Sequence, residues 1–292
     1  MNTAQAGILQ RVPTQGRYLF FSLAQPAAAG AALQRLAALA DGDTVVAGLG
    51  LASVNAVGGS VAGLRDMPDL SRPGVHVPSV PVALWCWLRG DDHGDLVNLS
   101  RKLEKALAPA FHMDRALEAF RHGKGPNGHG RDLTGYEDGN ENPDGDAALA
   151  AGLAPGGDSF VAVQQWVHDF DAFDAMSTQE QDNVVGRRRS DNEELEDAPE
   201  SAHVKRTAQE SFEPEAFVVR RSMPWVMNNK AGLMFVAFGH SFDAFEAQMR
   251  RMAGHDDGIV DAMFRMSQPV NGAYLWCPPV RDGRLDLRQI GL

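Results

Sequence analysis

Cysteine is scarce: the 292 residues hold two, Cys86 and Cys277, each inside an apolar, strand-like run (ALWCWL and YLWCPP). Two such residues cannot build a disulfide framework, nor a zinc site by themselves, and they read as buried thiols in a reducing compartment. Positive charge is short as well, with 27 lysines and arginines against 38 aspartates and glutamates, a balance of 27 − 38 = −11. A chain of that sign lacks the basic face that nucleic acid or an anionic membrane requires. No uninterrupted apolar run approaches the length of a bilayer span. The opening MNTAQAGILQRVPTQG has no basic start followed by a long apolar core, so no secretory signal is expected. These absences predict a cytoplasmic protein with neither nucleic acid nor membrane as partner.

The common cofactor signatures are missing too. Gly48-Leu49-Gly50 follows a strand-like run but lacks the third glycine of a dinucleotide fingerprint. There is no phosphate loop ending in Gly-Lys-Ser/Thr and no Gly-x-Ser-x-Gly elbow. His122 and His129 bracket a glycine-rich stretch without a third ligand at a convincing spacing, which reads as a surface loop.

What is present is an approximate internal repeat. Strands are predicted over 18–23, 44–48 and 80–88, with helices over 27–40 and 92–107; Leu96, Leu99, Leu103 and Leu107 keep the spacing of one helix face. The same order returns as strands over 160–167, 216–220 and 232–238, with helical segments over 170–185 and 242–252. This pattern predicts an α+β fold of two ferredoxin-like halves, antiparallel sheets packed together and helices outside, divided as 1–145 and 146–292. Two polar stretches, 121–146 and 187–200, interrupt it and read as loops.

Three segments carry candidate chemistry. Gly135-Tyr136-Glu137-Asp138-Gly139-Asn140-Glu141-Asn142-Pro143 reads, taken alone, as a turn with Asx hydrogen bonding, whose glycines would let backbone approach a flat ligand. His203, at the end of a polar loop, reads alone as a surface histidine. Val218-Val219-Arg220-Arg221-Ser222-Met223-Pro224 places adjacent arginines on a strand, so alternation turns one of them inward, where it needs an anion.

Together these segments resemble the dye-decolourising peroxidases, specifically the bacterial branch without large insertions. Gly135-Tyr136-Glu137-Asp138-Gly139 fits that family's Gly-x-x-Asp-Gly signature, extended by Asn142-Pro143. His203 and Arg220-Arg221-Ser222-Met223-Pro224 follow in the family's order, and the position three before the methionine selects Arg220 as the distal arginine. Gly63-Leu64-Arg65, Val77-Pro78-Ser79, Leu88-Arg89-Gly90-Asp91-Asp92, Val185-Gly186-Arg187 and Arg250-Arg251-Met252 extend the similarity over almost the whole chain. The stretch 261–272 matches only loosely.

The resemblance implies two ferredoxin-like halves forming a dimeric α+β barrel, and haem b (iron protoporphyrin IX) as cofactor. It implies reduction of hydrogen peroxide through a high-valent iron-oxo intermediate, with oxidation of dyes, phenols or other bulky electron donors, in a homo-oligomer. By resemblance His203 is the iron ligand and Asp261 its partner, while Asp138 shuttles a proton or holds the water that does so. Arg220 stabilises charge on the peroxide oxygens, Ser222 shares its strand face and Phe235 lines the distal pocket. Gly139, Asn140 and Arg187 complete the expected haem-binding set. No tryptophan or tyrosine is assigned as a surface relay. The alternatives are a chlorite-dismutase-like enzyme, which would lack the Gly-x-x-Asp-Gly segment, and a non-enzymatic haem carrier.

Overall fold

The computed structural model describes residues 3–292. Its first part runs α1 (Ala6–Leu9), β1 (Gln15–Leu23), α2 (Ala29–Leu39), β2 (Val45–Leu49), α3 (Leu51–Ala56), β3 (Leu84–Gly90), α4 (His93–Leu107) and β4 (Phe111–Phe120). A loop-rich stretch leads to α5 (Gly145–Gly152). Then come β5 (Ser159–His168), α6 (Phe170–Asp174), α7 (Thr178–Val185), α8 (His203–Arg206), β6 (Val219–Arg220) and β7 (Met223–Met227). The remainder includes β8 (Lys230–Gly239), α9 (Asp243–Met252), β9 (Ser267–Pro269) and β10 (Ala273–Cys277).

The strands form one antiparallel sheet that closes on itself. The order β8-β7-β4-β1-β3-β2-β10-β5 returns to β8 through a ladder running from Phe160 opposite Gly239 to Val167 opposite Gly232. Strand β6 adds to β8, and β9 to β5. Closure removes the unpaired edges that an open sheet would have to protect. Within the ring, the first part has the order β4-β1-β3-β2 and the second β7-β8-β5-β10.

Alternation along each strand sorts the apolar residues into two cores. Tyr18, Phe20, Trp85, Trp87, Trp225 and Leu275 pack with one another from many strands, which places them inside the barrel. Leu19, Phe21, Cys86 and Leu88 face the other way and meet Leu33 and Leu36 of α2 and Leu96 and Leu103 of α4. The leucine stripe of α4 is thus its sheet-facing side, and Asp92 caps the helix by accepting from the Asp95 N–H at 2.9 Å.

Three expected elements differ, each for a local reason. The strand expected from residue 80 begins at Leu84, because the stretch holding Pro78 and Pro81 lacks the N–H groups of a regular ladder. The helical run expected over 170–185 is two helices: Ser177 forms a capping box with Glu180 and restarts the second. The strand expected over 216–220 shrinks to Val219–Arg220, since Gln209 accepts from the Val218 N–H and its carbonyl from the Ala216 N–H. Strand β4 was not expected: FHMDRALEAF carries charged residues on its wet face, which hides the alternation. Cys86 and Cys277 are free and buried, and among the described residues no helix is long and apolar enough to cross a membrane.

Candidate active site

A cavity with about 910 Å³ of open space, counting its mouth, lies between the outer face of β5 and β8 and helix α9. Its position follows from alternation along β8: Met234 and Val236 are fully buried in the barrel, while Leu233 and Phe235 are partly exposed because they face the cavity. Phe245, Met249 and Met252 of α9 supply an apolar roof. The wall is therefore suited to a largely apolar ligand.

His203, the first residue of α8, lines this cavity. Its Nδ1 lies 2.8 Å from Oδ2 of Asp261, a carboxylate 1% exposed. A buried carboxylate accepts, so Nδ1 carries the proton and Nε2 keeps its lone pair. Asp261 is itself fixed, because Oδ1 accepts from the Met263 N–H at 2.8 Å and its own N–H donates to the Met252 carbonyl. The Ala262 N–H donates to the Ser201 carbonyl at 2.7 Å and ties this segment to the histidine loop.

Asp138 and Arg220 line the same cavity. Asp138 stands in the loop before α5, its N–H donating to the Gly130 carbonyl at 2.9 Å. Gly139, with φ +89°, reverses the chain directly after it, a conformation open to glycine and unfavourable to most other residues. Burial pushes the Asp138 carboxyl above its ordinary value, helped by the negative charge of Asp132 and opposed by the charges of Arg220 and His203. Asn142, four positions on, clamps the two segments together: its Oδ1 accepts from the Arg220 N–H at 2.6 Å and its Nδ2 donates to the Arg220 carbonyl at 3.2 Å. The Arg220 Nε is buried without a protein partner, leaving a donor for a small oxygen-bearing ligand.

Sequence reasoning missed a second polar cluster on the cavity wall. His168 at the end of β5 has Nε2 3.0 Å from Asp132 Oδ1 and Nδ1 2.7 Å from Ser267 Oγ. Burial alone would raise the Asp132 carboxyl, but His168 and the Thr134 hydroxyl and N–H outweigh it and hold it at about 2. Next to this cluster the Tyr136 hydroxyl donates to Asp182 at 2.5 Å, and burial and that bond push its ionisation up. The only advance signal was Asp132 in the same loop as Asp138.

Of the residues singled out in the sequence, the cavity thus gathers His203, Asp138, Arg220 and Phe235, with Asp261 behind the histidine. Four others lie outside it. Arg187 is drawn away by Glu141 at 2.5 Å and Glu194 at 3.2 Å. Asn140 lines neither this cavity nor the basin beside it, and its Oδ1 is buried without a protein partner. Gly139 and Ser222 line that neighbouring basin. Ser222 was expected to share the face of Arg220; both line the basin, although β6 ends at Arg220 and β7 starts at Met223, and the Ser222 Oγ accepts from the Val236 N–H at 3.3 Å.

The donor set fits a metal porphyrin: an imidazole nitrogen free for an axial bond, an apolar slot, and a carboxylate with a guanidinium nearby. The comparisons agree. Residues 129–282 match the pattern of the family described as Dyp-type peroxidase, C-terminal. A dye-decolorizing peroxidase of Mycolicibacterium paratuberculosis is 30% identical over 233 residues, covering 75% of this chain and 64% of that protein. Its counterpart from Mycobacterium tuberculosis is 27% identical, covering 74% of this chain and 67% of its own. The chain therefore spans less than two thirds of the first relative. Among solved structures, a dye-decolorizing protein from V. cholerae has a TM-score of 0.83 at 27% identity, covering 93% of this chain and 96% of that one. A DypB variant from Rhodococcus jostii, in complex with heme, has a TM-score of 0.81 at 24% identity, covering 93% and 94%, and speaks for the fold alone.

Proposed function

Because the chain belongs to the dye-decolourising peroxidase family, we propose that it is a haem peroxidase that reduces hydrogen peroxide while oxidising dyes, phenols or other bulky electron donors. The observation that carries this reading is His203, paired through Nδ1 with buried Asp261 at 2.8 Å, in one cavity with Asp138 and Arg220. His203 is the proposed axial ligand, and Asp261 strengthens its electron donation. Haem b, held by His203 in this cavity, would supply the iron redox chemistry that peroxide reduction requires.

The chain's own residues do the rest. In its ionised form Asp138 takes a proton from one oxygen of hydrogen peroxide and returns it to the other, directly or through a water. The Arg220 guanidinium stabilises negative charge on those oxygens, and its unpartnered Nε–H is a ready donor. Phe235 and the α9 side chains hold the porphyrin face and exclude water. Direct contacts to the cofactor are not assigned to Arg187, which is paired with Glu141 and Glu194, to Gly139 and Ser222, which line the neighbouring basin, or to Asn140, which lines neither hollow.

The two strand orders, β4-β1-β3-β2 and β7-β8-β5-β10, support ferredoxin-like halves divided near residues 145 and 146. Free, buried Cys86 and Cys277 support a reducing, cytoplasmic setting. Self-association into a homo-oligomer belongs to the same proposal and is read by sedimentation. A chlorite-dismutase-like reading is disfavoured by Asp138 within Gly-x-x-Asp-Gly.

The test is stopped-flow mixing of the haem-loaded protein with peroxide. Asp138→Asn and Arg220→Gln are expected to retain haem while slowing the first spectral change by roughly 10²–10³-fold each. Parental rates in both variants contradict the assignment.

A further inference from the structure

Behind Asp138 and Arg220 lies a second hollow with about 1250 Å³ of open space, lined by Arg11, Arg121, Arg131, Arg220 and Arg221. Asp138 is the one carboxylate on its wall. In a chain whose net charge is −11, five arginines converge here. Among the described residues none of the five forms an ion pair with a carboxylate. They are held instead by neutral groups. Arg131 donates to the carbonyls of Lys124 and Gly135, and Arg221 to those of Arg220 and Leu9. Arg121 reaches only the Thr14 hydroxyl, at 3.5 Å.

A structural role for these charges would show as matched carboxylates, and the wall offers five guanidinium groups a single one, Asp138. Crowded, half-buried guanidinium groups repel one another, and the repulsion is offset only when an anion enters. The Nε atom of Arg221 is buried without a partner, so the wall holds an unmet donor as well as unmet charge. Burial and the like charge of Arg89 also pull Arg221 down to about 10, in keeping with a site short of negative charge. Arginine forks match the geometry of carboxylate and sulfonate groups.

We propose that this hollow is an oxyanion-binding vestibule, which takes the carboxylate or sulfonate group of a small organic anion on the side of Asp138 and Arg220 facing away from the main cavity. Arg11 and Arg121 form its exposed rim, while Arg131 and Arg221 are half-buried further in. Anion binding stands independently of the peroxidase reading; its use in favouring anionic electron donors rests on that reading.

The experiment is calorimetric titration of 4-hydroxybenzenesulfonate into the haem-loaded protein, the protein as purified, and the double variant Arg11→Gln/Arg121→Gln, with the haem absorption band recorded in each. The sulfonate is expected to bind the haem-loaded protein, with affinity falling as salt rises. The double variant should bind about a hundredfold more weakly, since each of the two lost charged donors is worth about a factor of ten. Arg11→Lys/Arg121→Lys, which keeps the charge, should retain most of the affinity, and the haem band should be the same in all. Three results overturn the proposal: no measurable binding, equal affinity in the glutamine variant, or binding that disappears when haem is loaded. A protein that takes up no haem yet binds the sulfonate through Arg11 and Arg121 upholds the vestibule and removes the peroxidase reading.

Discussion

Asp138 is caught between burial, which penalises its ionised form, and Arg220, which favours it. Burial wins, so this carboxyl protonates at a higher pH than a free aspartate. The base form is the one that can take a proton from peroxide. The peroxide step is therefore expected to slow as pH falls through that raised value, and the Asp138→Asn rate should lose this dependence. Stopped-flow rates across pH check it; a parallel pH profile in the variant would remove Asp138 as the base. Asp132 has the opposite sign. Its folded value of about 2 lies below the unfolded value near 3.9, so its contribution is full above about pH 4 and is lost as pH falls toward 2. The shift corresponds to about 2–3 kcal/mol. Asp132→Asn should thus be less stable than the parent by about that much near neutrality, with the gap closing toward pH 2 in denaturant titrations.

At the scale of elements, the site depends on a loop held against a two-residue strand. Arg220 ends β6, whose register on β8 is only Val219 opposite Phe238 and Arg220 opposite Ala237. The Asn142 side chain adds a bond to each backbone group of Arg220. Asn142→Ala is expected to cost about 1–3 kcal/mol by leaving that N–H and carbonyl without partners. It should also slow the peroxide step while haem binding persists; unchanged kinetics would show that β6 holds Arg220 unaided. This clamp was not legible in the sequence, where Asn142 is one polar residue of a turn-like string and nothing marks its partner on a distant strand. The pairing of His168 with Asp132 and Ser267 was hidden for the same reason. By contrast the α4 leucine stripe and the β8 run were readable, because periodicity is a local property, while Asp138, His203 and Arg220 were grouped only through the family resemblance.

At the scale of the whole molecule, the strands of both parts of the chain close into one antiparallel sheet. Closure itself was not legible, since it depends on seams between distant strands. The joints between the two parts are narrow in the ladder: Ala119 opposite Trp225 joins β4 to β7, and Leu49 opposite Trp276 joins β2 to β10. Packing inside the barrel must therefore carry the joint. Trp225, 1% exposed, fills the interior there and donates through Nε1 to the Trp166 carbonyl at 3.0 Å. Trp225→Ala is expected to destabilise the fold by about 3–5 kcal/mol, read as a lower denaturation midpoint. A loss under 1 kcal/mol would mean that the seam does not depend on this side chain.

All of the proposed chemistry presupposes an imidazole that grips a porphyrin metal from the Asp261 side of the cavity. Titrating hemin into the haem-free protein and into His203→Ala, followed by absorption in the Soret region, tests this most directly. A sharp band saturating at one equivalent in the parent, and lost or displaced in the variant, is the expected result. A parent that takes up no hemin, or a variant with the same spectrum and stoichiometry, would contradict it.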